Sequence, residues 1–160
     1  YQNEIDIYCI RPATVCGISP RMRLDLTVNI LTYNAIKNNI INVFGGKQIR
    51  PNIHINDMVD IYCFFLKKKI PTGIYNAGFE NMSVMSIAKL VSNITGAKIE
   101  VQKSNDPRSY RLDSSKLLKQ GFKPKCSVET GIEDVTEFTK STKILKSFFS
   151  VKWLKDLSIK

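Results

Sequence analysis

Histidine is nearly missing from this chain: there is one, His54, beside four cysteines at positions 9, 16, 63 and 126. No two cysteines have CxxC spacing, so the clustered sulfur and imidazole ligands of a zinc site are not on offer and no metal is expected. Apolar runs are short as well. The stretch at 61–66 falls far below the roughly 20 residues that cross a bilayer, so no membrane-spanning helix is expected. The opening, Tyr1-Gln2-Asn3-Glu4, is polar and acidic, without the basic start and apolar centre of a secretory signal. No methionine begins the chain, as fits a fragment or processed piece. Internal repeats and low-complexity tracts are absent too. Cys9 and Cys63 lie inside apolar segments and read as small core hydrophobes with free thiols, as a reducing cytoplasm allows.

What is present suffices for one modest domain with a real core. Of 160 residues, 43% are hydrophobic and 24% charged, ordinary proportions for a globular chain. Acidic residues are outnumbered, 14 against 24 basic ones, for a net charge of +10. Basic charge gathers at Lys67-Lys68-Lys69, between Lys103 and Lys125, and from Lys140 onward. Such a balance suits an anionic partner: phosphate groups, nucleic acid or a membrane surface. It equally suits a solvated lysine-rich surface, and charge alone does not choose among them.

Apolar periodicity cuts the chain into alternating strands and helices. Residues 5–10 are apolar on both faces and predict a short buried strand. Pro12, Gly17 and Pro20 predict a loop. Met22, Leu26, Ile30, Tyr33 and Ile36 recur at helical spacing, predicting a helix over 22–37. Residues 40–44 predict a strand, Gly45-Gly46 a turn within a strand pair, and 49–55 an extended edge or irregular segment, because Pro51 lies inside it. Asp57 predicts an N-cap for a helix over 58–66, closed by lysines that suit the helix dipole. A strand follows at 74–77, then a Ser83-capped helix over 84–94 stopped by Gly96, and a strand over 98–102. Asp113 predicts a cap for 114–120, and 128–139 is the last helix, with Ser127 or Thr130 near its start. His54 reads as a hydrogen-bonded structural residue, Asn76 as a turn former, and Phe44 and Tyr75 as core. The order argues an α/β architecture. A few strand–helix units do not close a doubly wound sheet, and strands of buried type need partners on both sides. An N-terminal portion is therefore expected to be absent.

Four segments carry a resemblance. Ile10-Arg-Pro-Ala-Thr-Val-Cys-Gly17 comes first. The run from Val43-Phe-Gly-Gly-Lys-Gln-Ile-Arg50 through Pro-Asn-Ile-His-Ile-Asn-Asp57 follows. Gly73-Ile-Tyr-Asn-Ala-Gly78 precedes a Ser-capped helix, and Asp113-Ser-Ser-Lys116 precedes Gly121-Phe-Lys-Pro124. In series, over about residues 5–135, they resemble the extended short-chain dehydrogenase/reductases, the NAD-dependent epimerase/dehydratase family that modifies nucleotide sugars. Cys16 stands where that family often has Tyr, and Pro51 where it often has Asp. The resemblance implies the C-terminal portion of a Rossmann-type α/β fold: the last sheet strands plus a small α/β substrate-binding domain. Residues 1–139 would be the substrate-binding portion, interleaved with Rossmann strands at about 5–10, 53–68 and 73–78, and 140–160 a basic tail. The family's glycine-rich phosphate loop is not found, and neither is its YxxxK pair, since Tyr1 is followed by Ile5 at the lysine position. No catalytic residue is therefore expected in this chain.

For the remaining site, the resemblance implies that Pro12, Ala13 and Thr14 line the join between nicotinamide and substrate. Asn29, Arg50, and Arg108 or Arg111 would meet the nucleotide diphosphate, Arg50 foremost, because a guanidinium fork matches phosphate oxygens in pairs. NAD or NADP would be bound mainly by the absent half. The expected partner is a nucleotide-diphosphate sugar, with no nucleic acid and no membrane, in a cytoplasmic protein that is a homodimer at full length. The alternative is a non-catalytic basic module for nucleotides or nucleic acid. It lacks aromatic residues interleaved with its basic runs.

Overall fold

Residues 5–104 and 106–141 are described by the computed structural model of the chain. The expectations for Tyr1 and for tail residues 142–160 lie outside them. Strand β1 (Tyr8–Pro12) pairs in parallel with β5 (Gly73–Ala77), Tyr8 opposite Gly73 through Pro12 opposite Ala77. Strands β2 (Thr14–Cys16), β4 (Ile49–His54) and β6 (Glu80–Ser83) form a mixed sheet with β4 central. A third sheet pairs β3 (Ile40–Phe44) with β7 (Lys98–Gln102), again in parallel. The intervening helices are α1 (Thr27–Asn38), α2 (Ile55–Lys67), α3 (Val84–Thr95), α4 (Ser115–Lys119) and α5 (Val128–Lys140). Strands and helices are interspersed along the chain, as an α/β architecture requires, with strands in consecutive pairs before α1, α2 and α3.

Side-chain alternation along β4 and its neighbours divides the interior in two. Cys16, beside His54, joins Val28, Ile41, Val43, Ile87, Val91 and Ile132 in one apolar cluster. Ile53 faces the other, with Met58, Ile61, Tyr75, Leu117 and Phe122. Each fully buried aliphatic or aromatic side chain contributes about 1.5–3 kcal/mol by leaving water.

Several sequence expectations are corrected here. Pro51 does not mark an edge. Phe79 N–H donates to Asn52 O at 3.0 Å, so even-numbered residues of β4 turn their backbone groups toward β6. By alternation the proline nitrogen faces the opposite side, where β2 pairs only from Asn52 onward; no ladder bond is lost. Gly45 and Gly46, with φ of 77° and 103°, are not a turn within a strand pair but separate strands of different sheets. Helix α1 begins at Thr27, not Met22, because the segment before it is held as a loop: Arg23 pairs with Asp25, and the Arg23 carbonyl accepts from Asn29. Strands β2 and β6 were not anticipated; their short sequences carry no period of their own.

Cys9 and Cys63 are exposed rather than core. Strand β1 packs only Tyr8 and Ile10 into the interior, and α2 turns Val59, Tyr62 and Leu66 outward with Cys63. An apolar run can exceed what one face buries. Phe44, also expected inside, is 54% exposed at the end of β3, whereas Tyr75 is fully buried.

Candidate functional site

The sequence after β4 sets the ground of the site. His54 Nδ1 accepts the Asn56 N–H at 3.2 Å and so caps α2. Nε2 therefore carries the proton and donates to Asp134 Oδ2 at 3.1 Å. Asp57, expected to be that cap, lies instead in the first turn of α2 and is 1% exposed. Its carboxylate accepts the backbone N–H groups of Lys125 at 2.9 Å and Cys126 at 3.2 Å, clamping the segment that leads into α5. Cys16 sits opposite His54 in the β2–β4 register. Both imidazole nitrogens are engaged, and burial pushes the Cys16 thiol up to about 12. Cys16, His54 and Asp134 thus make a structural cluster, not an activated nucleophile.

Arg50 points from β4 into a strap of irregular chain, residues 106–114. Its Nη2 pairs with Asp106 Oδ2 at 3.1 Å, its Nη1 donates to the Arg108 carbonyl, and its guanidinium lies 5.9 Å from the Tyr110 ring centre. Arg108 grips the same carboxylate with its fork, Nε to Oδ1 at 2.8 Å and Nη2 to Oδ2 at 2.9 Å. Two arginines therefore converge on Asp106. The strap fills the side of β4 that β2 leaves open: Ile49 N–H donates to Ser109 Oγ, and Tyr110 N–H to Ile49 O. Further along it, the Asn81 side chain pairs both edges of Leu112, at 2.8 and 3.0 Å. Near its start, Gly45, Val101, Gln102, Lys103 and Ser104 line an open hollow of about 390 Å³.

The Arg108 hydrogen bonds, then the Arg50 charge, hold the Asp106 carboxyl down at about 2. A carboxyl held below its ordinary value near 4 adds stability that is complete above that value and lost as pH falls through the lower one. Followed by NMR from pH 5 to pH 1.5, the Arg108 amide, which donates to Asp106 Oδ1, is expected to shift with a midpoint near 2. A midpoint near the ordinary carboxylate value would show that the clasp does not form.

The other expected site residues distribute unevenly. Thr14 pairs with Asn52 across β2 and β4, so it shares a sheet face with Arg50, two residues earlier on β4. Ala13 N–H donates to Ala77 O at 2.8 Å, and Pro12 lies opposite Ala77. Gly78 is required there: a Cβ on it would come within 2.5 Å of the Ala13 Cβ. Asn29 is neither at an open surface nor free for a ligand. It is buried, accepting the Gly17 N–H at 3.2 Å and donating to the Arg23 carbonyl at 3.0 Å. Arg111 is exposed on the strap and outside the Asp106 cluster. Sequence reading missed Asp106 and Tyr110; the two-residue spacing of Asp106 and Arg108, with the carboxylate accepting the later amide, was the available signal.

Solved structures share this fold. UDP-glucuronic acid 4-epimerase from Bacillus cereus, in complex with UDP-glucuronic acid and NAD, matches with a TM-score of 0.72 at 26% identity, covering 87% of this chain and 46% of its own. UDP-glucose 4-epimerase from Thermotoga maritima, with UDP-glucose, shares the fold with a TM-score of 0.73 at 24% identity, covering 88% and 48%. Anthocyanidin reductase ((2S)-flavan-3-ol-forming) of Vitis vinifera is 25% identical over 157 residues, 91% of this chain and 46% of the reductase. Residues 1–78 match the profile of the NAD dependent epimerase/dehydratase family.

The fold is therefore the Rossmann-type α/β fold of extended short-chain dehydrogenase/reductases. More particularly, its first 78 residues resemble the NAD dependent epimerase/dehydratase family. It spans about half the length of the curated relatives and solved structures it matches. Solved neighbours hold NAD or NADPH. Among the described residues no strand enters a helix through a glycine-rich turn. Strand β4 runs into α2 through His54 and Ile55, and β6 into α3 through Ser83. Among the described residues, too, no helix is long and apolar enough to cross a membrane.

Proposed function

We propose that this chain is the substrate side of an NAD(P)-dependent epimerase, dehydratase or reductase acting on a nucleotide-diphosphate sugar. The observation that carries the reading is the convergence of Arg50 and Arg108 at one anion position, on the rim of the β2–β4–β6 sheet. Guanidinium forks at that spacing suit the paired oxygens of a diphosphate. Thr14 presents a hydroxyl on the same face, and Pro12 and Ala13 stand at the C-terminal end of β1, where parallel sheets receive ligands. Arg111 takes no part, and Asn29 contributes by holding the 17–23 loop. The named ligands of the Bacillus and Thermotoga enzymes, UDP-glucuronic acid and UDP-glucose, support a nucleotide sugar.

The chemistry of the whole protein would be hydride exchange between a sugar carbon and nicotinamide. No general base stands among the residues proposed for the site, so the isolated chain is expected to bind without turnover. We read the full-length protein as a cytoplasmic homodimer. Calorimetric titration of the chain with UDP-glucose, UDP, free glucose and a single-stranded DNA oligomer tests the reading. Binding by the first two, none by glucose and no change in added NAD are expected. Steeply salt-dependent DNA binding without nucleotide binding would favour the basic-module alternative instead.

A further inference from the structure

We propose that Asp106 is the resident anion of the Arg50–Arg108 clamp, and that an incoming diphosphate takes its place and unfastens the strap at 106–111 from β4. This rests on the nucleotide-diphosphate reading above and adds a regulated step to it. The Asp106 carboxylate is held as a bound anion would be. Oδ1 accepts Arg108 Nε at 2.8 Å and the Arg108 backbone N–H at 3.0 Å, while Oδ2 accepts Arg108 Nη2 at 2.9 Å and Arg50 Nη2 at 3.1 Å. One carboxylate thus occupies the fork of one arginine and an arm of the other. Two cations against one anion leave a positive charge unmatched. A diphosphate brings more negative charge and more acceptor oxygens than the carboxylate it would replace.

Access and consequence follow from position. The Arg108 side chain is 77% exposed, Asp106 22% and Arg50 14%, so the clasp opens from its solvent side while Arg50 stays seated on the sheet. The strap is held to β4 at consecutive residues: the Arg108 carbonyl accepts from Arg50 Nη1, Ser109 Oγ accepts the Ile49 N–H, and the Tyr110 N–H donates to Ile49 O. Leu112 is separately fixed to Asn81 on both edges, so release stops there. Residues before Leu112 move, and α4 keeps its place.

Hydrogen exchange of the full chain, read by mass spectrometry with inorganic pyrophosphate and in parallel with uridine diphosphate, tests this. In the wild type, exchange over 106–111 is expected to rise on ligand addition while 112–119 is unchanged. Asp106→Asn is expected to bind pyrophosphate about tenfold more tightly, because a competing carboxylate charge is removed from a partly screened site. Its strap should exchange fast with or without ligand. Wild-type binding accompanied by slower strap exchange, or an Asp106→Asn affinity equal to or weaker than wild type, would overturn the inference and leave the diphosphate reading intact. Failure of both proteins to bind either ligand would overturn both. The wild-type exchange measurement stands even if the variant folds poorly.

Discussion

Replacing Arg50 with alanine is expected to weaken nucleotide-diphosphate binding by about 100-fold, since each charge-assisted hydrogen bond contributes about 1.5–3 kcal/mol. The side chain does two things at once. Nη2 stands at the anion position now filled by Asp106, and Nη1 donates to the Arg108 carbonyl, which keeps the second arginine over the same spot. Alanine removes the first donor and lets the second drift. Arg50→Lys is expected to recover about tenfold at most, because a point charge on a flexible stem does not supply two fixed, coplanar donors. Arg111→Ala, exposed and outside the cluster, should stay within about threefold of wild type, as surface changes usually do. Titration of the variants with UDP and UDP-glucose gives the comparison. Equal losses at Arg50 and Arg111 would mean that basic charge in general, not this clamp, holds the ligand.

The second large effect concerns stability. Asp57→Ala should lower the melting temperature by about 10 °C, from about 3 kcal/mol of lost stability at roughly 2–4 °C per kcal/mol for a chain of this size. Asp57 is 1% exposed and receives two backbone donors, from Lys125 and Cys126. Removing the carboxylate leaves both donors unmet where α5 is anchored against α2. Asp57→Asn keeps one acceptor oxygen and should lose about half as much. Asp60→Ala is the control: among the described residues Asp60 pairs with the Lys125 ammonium, whose side chain is 71% exposed, so it should cost under about 1 kcal/mol. Differential scanning calorimetry separates these cases. Similar melting points for the Asp57 and Asp60 variants would show that the buried clamp does not carry the load assigned to it.

Much of this architecture was legible in the order of residues. Ser83 caps α3 through the Ser86 amide, and Gly96 ends it with φ of 77°. Ser127 and Thr130 form a reciprocal cap on α5. These features are local, so they can be read within one or two turns of chain. Burial was legible only in part: Tyr75 was read as core and is fully buried. It failed for Cys9, Cys63 and Phe44, because apolar character does not say which face of a strand or helix another element will cover.

For the site, family motifs pointed to Arg50 and to one of Arg108 and Arg111, and Arg50 and Arg108 stand at one cluster. The same motifs could not distinguish Arg108 from Arg111, since both precede the same helix and only the path of the strap separates them. Asn29 and Asp57 were assigned to ligand and cap by their place along a helix, yet each is used by backbone groups distant in sequence: Gly17 for one, Lys125 and Cys126 for the other.

Residue order by itself determined the α/β pattern, the caps of α3 and α5 and the resemblance to the epimerase/dehydratase family, because each depends on periodicity, short motifs or neighbours a few positions away. The tertiary structure alone decided that Pro51 could sit in a central strand, that His54 and not Asp57 caps α2, and that Asp106 gathers two arginines. Asp106 and Asp57 meet groups 56 to 69 positions away, and chain folding, not spacing, brings such groups within hydrogen-bond reach.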